Sequence, residues 1–425
     1  MASVLMSAEY PAGECALSDA LRRMGRTWSL TPWWPALPLL AVQLASGLWY
    51  MPQTSFFPIY LEEQLGFTPV VIASFLAAGQ VAGMIAGLVG GVLGDAIGSK
   101  SVLALGLFGA ALASMVFLVS APWLVASLWI VGGLSVGFHA LGGSSYLTRV
   151  ADPRSLGVLS AFYELCLTMG GALGNPVAGM ILDAGGFRIF GYTILFMAAV
   201  TLVGVLLFMP ARAADRSDAG APVQRVAAGA LSLVRRPEGI MLIALRYLPT
   251  VCYGMMGMLV PLAINRLTGS KTTVALYGTV TLVVASGAQL LAGRAADRFG
   301  WRWPVVLAFG SLIVSALGLA AFSSRVGVEG IFVFGVSGNA AAWSLSALLF
   351  CMVAAGVPKA EHGRMFGLLH TSWSIGMISG VLLGGVLVRS SPGLPFLVAG
   401  LIQLLSITLV FWFFARVSRH PQNAI

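Results

Sequence analysis

Charge is scarce in this chain. Only 9% of its 425 residues are Asp, Glu, Lys or Arg, while 58% are hydrophobic. Soluble domains carry about 25% charged residues, so this composition excludes a water-soluble globule. Cysteine is scarce too. Cys15, Cys166, Cys252 and Cys351 are scattered, and three fall in apolar runs. With no Cys/His cluster at ligand spacing, neither a disulfide framework, a metal site nor any other cofactor is expected. A GxxxxGK[ST] loop is missing, which argues against an ATP-driven pump. No nucleophile–base set stands out, so no enzyme is expected. The net charge of +9 comes with no basic–aromatic module for nucleic acid. Residues 1–27 hold Glu9, Glu14 and Asp19 and no long apolar core, unlike a cleavable signal peptide.

What the chain has is apolar runs. They predict spans at about 36–61, 69–91, 101–120, 122–147, 156–182, 188–209, 239–265, 273–294, 303–323, 329–355, 365–389 and 394–415. Each is near the ~20 residues that cross ~30 Å of hydrocarbon as a helix. A barrel would show short alternating segments instead. The expected class is an all-α membrane protein with the lipid bilayer as its principal partner. The hydrophilic interval 210–238 divides the spans six and six. The expected organisation is an N-terminal segment 1–35, a bundle 36–209, a linker 210–238, a bundle 239–416 and a tail 417–425.

Lys and Arg are unevenly distributed. With the N-terminus placed inside, 18 of the 24 fall in inside segments, five fall outside, and Arg246 lies within a span. The excess of Lys and Arg on one side predicts cytoplasmic termini and a multi-pass protein of the cell's inner membrane.

The segments "GVLGDAIGSK" (Gly91–Lys100) and "GRAADRFGWR" (Gly293–Arg302) echo each other at an offset of 202. Asp95 falls on Asp297, Gly98 on Gly300 and Lys100 on Arg302. A second echo, at offset 210, sets Arg154 on Arg364, Gly170 on Gly380 and Gly174 on Gly384. Two echoes at nearly one period predict a duplicated six-helix unit, its halves related by an axis along the membrane normal.

At Gly91, Leu93, Gly94, Asp95, Gly98 and Lys100 the chain resembles the loop signature of the major facilitator superfamily, G-x-L-[AG]-D-R-x-G-R-[RK]. Ala96 and Ser99 replace its two usual arginines. The second copy keeps Gly293, Asp297, Arg298, Gly300 and Arg302. The resemblance implies twelve transmembrane helices in two pseudo-symmetric six-helix bundles, working as a monomeric secondary transporter by alternating access. It also implies a gate role for Asp95, by contacts near Arg364; the plainer alternative is an acid that orients and solvates a short loop. "GGALGNPVAG" (Gly170–Gly179) resembles the helix-5 signature of the family's antiporters, though small-residue packing explains much of it. Trp129 stands where the family's drug antiporters have a helix-4 arginine.

Ionisable groups inside spans are few and are functional candidates by default. Glu164, His139 and Arg246 are the candidates for proton coupling. Snorkelling is the alternative for Arg246, and a packing role for the other two. The resemblance also implies that helices 1, 4, 7 and 10 line a cavity. Its candidates there are Gln43, Tyr50, Gln53, Ser135, His139, Thr250, Tyr253, Asn339 and Trp343. Such a wall is neutral, aromatic and hydrogen-bonding, suited to an amphipathic small molecule. The expected function is proton-coupled efflux. Alternatives are uptake or exchange of a sugar or organic acid, and a non-transporting receptor or assembly factor on the same fold.

Overall fold

A computed structural model describes residues 34–151, 156–210, 233–323, 327–358 and 361–419. The expected terminal segments, most of the linker and Arg154 lie outside the described residues, as do the side chains at positions 91 and 95.

Among the described residues, twelve helical arms make up the first and second halves. They are α1 (Leu37–Glu63), α2 (Pro69–Ile97), α3 (Ser99–Ser114, continued by a 3-10 turn at Met115–Leu118) and α4 (Pro122–Val150). The stretch Leu156–Phe208 is two arms, α5 and α6, broken at Gly186 (φ 68°, ψ −176°). There follow α7 (Pro237–Thr268), α8 (Lys271–Phe299), α9 (Arg302–Ser323), α10 (Val328–Gly356), α11 (His362–Leu387) and α12 (Leu394–Arg419). Among the described residues, ten helices are long and apolar enough to cross a membrane, with α5 and α6 taken as one; α1, rich in Gln, Ser, Pro and Tyr, falls below that hydropathy. The outer faces are apolar, as lipid requires: Leu290 is 72% exposed and Phe196 69%.

Local sequence sets the ends. Proline opens α1, α2, α4 and α7, where its missing N–H costs nothing. Gly98 (φ 86°, ψ 152°) and Gly300 (φ 78°, ψ 150°) turn the chain from α2 into α3 and from α8 into α9. A positive φ of this kind is open to glycine and strained for other residues. The two echoed glycines thus hold one backbone conformation. The echoed cations also do matching work. Lys100 Nζ donates to the carbonyls of Leu206 (3.0 Å) and Met209 (2.6 Å) at the end of α6. Arg302 Nη2 donates to Ser418 Oγ (2.8 Å) at the end of α12 and lies over the rings of Trp301 and Phe414. In each half, a basic residue at the start of the third helix ties down the end of the sixth.

The second echo is a packing device. A Cβ on Gly170 would stand 2.8 Å from the Cα of Gly47, so α5 and α1 touch backbone to backbone. Gly380 of α11 meets Gly254 of α7 the same way, at 3.1 Å.

Candidate functional site

The chain's first and last described helices begin and finish at one end of the molecule, called here the terminal end; the other is the far end. Between the halves lies a cavity of about 720 Å³. It runs from Thr148 and Ser160, at the terminal ends of α4 and α5, to Val274 and Pro261 near the far end. Its volume lies within the ~300–1,000 Å³ common for small-molecule sites.

The far end is latched across the halves. Glu63, closing α1, accepts from Asn265 Nδ2 (2.7 Å) and Lys271 Nζ (2.6 Å). Glu62 pairs with Arg266. Asp183, at the far end of α5, accepts from the backbone N–H groups of Lys271 (2.8 Å) and Thr272 (2.9 Å) and from Ser270 Oγ (3.3 Å). A carboxylate of one half therefore caps the N-terminus of α8 in the other, where orphan N–H groups and the helix dipole favour negative charge. Close backbone approaches reinforce the latch. A Cβ on Gly179 would stand 2.9 Å from the Thr272 Cα, and one on Gly385 2.7 Å from the Pro69 carbonyl. The terminal-end ion pairs Arg236–Glu361 and Arg416–Glu238, by contrast, both lie within the second half.

Of the residues singled out in the sequence, Gln43, Tyr50, Gln53, Ser135, His139, Glu164, Tyr253 and Asn339 line the cavity. Glu164 is exposed at its wall, and His139 Nε2 lies 3.4 Å from Ser46 Oγ. Asn339 Nδ2 donates to Tyr277 OH (3.2 Å) and to the Gly335 carbonyl (2.9 Å). Thr250 and Trp343 are not among the lining residues. The Thr250 hydroxyl donates to the Arg246 carbonyl (2.7 Å), and the Trp343 indole faces Tyr253 OH at 3.4 Å. Nor does Arg246 reach the wall. Its guanidinium donates to Ser346 Oγ on α10 (2.7 Å). Arg364 is exposed on the first turn of α11, and Asp297 and Arg298 are exposed at the end of α8.

Sequence reasoning did not pick out several wall residues. Tyr163, Tyr277 and Thr281 line the cavity, and so does Trp129, noted in the sequence only for replacing an arginine, which stacks on Phe57 with ring centroids 3.6 Å apart. Of the latch, Arg266 and Lys271 are among the five basic residues counted outside, with no further role read for them. A cluster of acids and bases at matched helix ends was the available signal.

The Major Facilitator Superfamily profile matches residues 39–354. The chain belongs to that superfamily. It is 34% identical over 126 residues to the class B tetracycline resistance protein of Escherichia coli, covering 28% of this chain and 29% of that one. It is 26% identical over 187 residues to the class H tetracycline resistance protein of Pasteurella multocida, covering 42% and 45%. Each match thus spans less than half of the relative's length. The fold is similar to that of a POT family transporter solved in complex with 5-aminolevulinic acid, with a TM-score of 0.72 at 12% identity over 89% of this chain and 96% of that one. At that identity the likeness shows the fold alone.

Proposed function

We propose that this superfamily member exports a small amphipathic molecule by alternating access, driven by the proton gradient. The observation that carries the reading is a cavity reaching the terminal end beneath a latch that closes the far end across the halves. This is the arrangement of a carrier loaded from one side. The two six-helix bundles joined by 210–238 rock against each other, and the latch opens when the terminal end closes. Asp95 and Asp297, in the last turns of α2 and α8, hold the terminal end in that other state. The excess of Lys and Arg supports a cytoplasmic position for the terminal end. A partial likeness to the multidrug efflux pump SdrM of Staphylococcus aureus, 24% identical over 168 residues, supports export as the direction.

Glu164 is the proton carrier in this reading. It is the carboxylate exposed at the cavity wall, roughly 12 Å along α5 from its terminal start. His139, on α4, lines the same cavity and accepts or relays the proton.

The test is a substrate screen on purified protein in proteoliposomes, with and without an imposed pH gradient. Export coupled to protons requires accumulation that collapses with the gradient. Accumulation indifferent to pH removes the coupling, and absence of counterflow for every compound removes the carrier. Reporter tags at residue 220 and at the C-terminus should both read cytoplasmic; a periplasmic signal at either reverses the orientation.

A further inference from the structure

Within the cavity wall, one place combines unmet polar demand with residues from both halves. Asn175 of α5 is 1% exposed, and its Oδ1 is buried with no hydrogen-bond partner. Its amide lies against α8, where a Cβ on Gly278 would stand 2.7 Å from Asn175 Nδ2. One turn along α8, Thr281 is also buried, and its Oγ1 lies beside the Tyr277 hydroxyl without making a hydrogen bond of good geometry. Both residues line the cavity, beside the Tyr277–Asn339 pair.

The setting makes Asn175 unusual. Gly171, Asn175 and Gly179 recur every four residues and so share one face of α5. Gly179 lets the backbone close on α8, where a Cβ would stand 2.9 Å from the Thr272 Cα, and Gly171 makes room for the side chains of Met51 on α1 and Leu282 on α8, the latter 3.0 Å from a Cβ. A small apolar residue would serve such a seam. An amide there leaves an acceptor unsatisfied, which costs stability unless a bound group supplies the missing donor.

We propose that Asn175 and Thr281 form a hydrogen-bonding subsite for an uncharged donor, a phenolic hydroxyl or amide N–H, on an aromatic substrate. An amide oxygen only accepts, so the ligand must donate. The surrounding wall supplies Trp49, Tyr50, Trp129 and Met258, which suit an aromatic body. Glu164 stands eleven residues back along α5, roughly 16 Å away. The subsite therefore takes the uncharged end of the molecule, away from the carboxylate. Because Asn175 belongs to the first half and Thr281 to the second, a donor bound there bridges the moving bundles. The inference rests on the transport reading only in taking this cavity as the substrate's path.

The test compares 7-hydroxycoumarin with 7-methoxycoumarin, identical rings with and without the donor. Binding to purified full-length protein in nanodiscs is read by fluorescence anisotropy at mildly acidic pH, where the phenol keeps its proton. The parent should bind the hydroxy compound about tenfold more tightly, near the lower end of what leaving a buried polar group unpaired costs. Asn175→Leu and Thr281→Val, both close in shape, should each bring the two affinities within about twofold while retaining 7-methoxycoumarin. Equal affinities in the parent, a preference kept in both variants, or no binding of either coumarin would overturn the subsite. If Asn175→Leu does not fold, Thr281→Val alone decides by the same readout. Loss of counterflow in proteoliposomes with the binding preference intact would instead sink the transport reading and leave the subsite standing.

Discussion

The first and second halves share a skeleton and differ in what they hang on it. Gly47 against Gly170 and Gly254 against Gly380 pack the first helix of each half on its fifth. Gly98 and Gly300 make the same turn, and Lys100 and Arg302 tie the same pair of helices. The chemistry is one-sided. The first half supplies Glu164 and His139 to the cavity and all three acids of the latch. The second supplies Asn265, Arg266, Lys271 and the start of α8, and keeps Arg246 to itself through Ser346. The duplicated positions are those where backbone geometry leaves little choice. The diverged ones are those where a side chain meets solvent, cavity or the other half.

The sharpest way to break that comparison is at Glu164. At the offset of 210 its counterpart is Ser374, which is buried and donates to the His370 carbonyl within α11. Glu164→Gln is expected to reduce gradient-driven accumulation to downhill equilibration while sparing substrate exchange, because exchange needs no net proton movement. Ser374→Ala should leave accumulation as in the parent. Accumulation by the Gln variant with unchanged pH dependence would remove Glu164 from coupling and make the halves chemically equivalent.

Next comes the packing. A Cβ on Gly47 would lie 2.9 Å from the Gly170 Cα and closer still to the Leu167 carbonyl; on Gly254 the nearest backbone atom is the Met377 carbonyl at 2.9 Å, with the Gly380 Cα at 3.3 Å. The first half is therefore the tighter. Gly47→Ala should cost about 1–3 kcal/mol, the usual range for overpacking, and Gly254→Ala less. Unfolding midpoints in detergent would show the order; an equal or reversed order would mean that α7 and α11 have no more room to relax than α1 and α5.

The echoes explain how much of this was legible. Glycine and the polar turns announce themselves because φ and backbone contact restrict residue choice, so the twelve spans, the duplication and the two turns could be read directly. Of the eleven residues predicted for the wall or for coupling, eight reach the cavity, namely Gln43, Tyr50, Gln53, Ser135, His139, Glu164, Tyr253 and Asn339, and three do not. Thr250, Trp343 and Arg246 carry the right chemistry but face neighbours in their own half, and which way a helix is rotated depends on packing that no single helix encodes. Asp183 carried no signal of its own in the sequence. Its role needs α8 brought up from 87 to 89 residues away in the chain.

The latch gives a smaller effect. Asp183→Ala removes the cross-half acceptor at the start of α8 and leaves the Ser270 cap on the Thr273 N–H in place, so the loss is at most about 1 kcal/mol, roughly a fivefold shift in a two-state ratio. The far end should become more accessible to a membrane-impermeant thiol reagent directed at a cysteine introduced at Val274. Exchanging the charges of Glu62 and Arg266 together should restore closure better than either change alone, since the pair is retained with its sign reversed. Accessibility unchanged in Asp183→Ala would mean that the small-residue seams, rather than the acids, hold the halves together.

The smallest effect is expected where the halves differ least. Lys100 meets two carbonyls at the end of α6, so it neutralises the negative end of that helix as well as donating hydrogen bonds. A cation at a helix C-terminus contributes about 0.3–1 kcal/mol, less when salt screens it. Arg302 meets a hydroxyl and two aromatic faces, and its hold comes from stacking as much as from charge. Lys100→Met should therefore lower stability by a few tenths of a kcal/mol to about 1 kcal/mol, with the difference shrinking at high salt. Arg302→Met should cost a similar amount that depends less on salt, because methionine also loses the planar contact with Trp301 and Phe414. Thermal unfolding of the two variants at low and high ionic strength separates the cases. Parallel salt dependence would mean that the duplicated cations act alike, and that the aromatic pair beside Arg302 contributes packing alone.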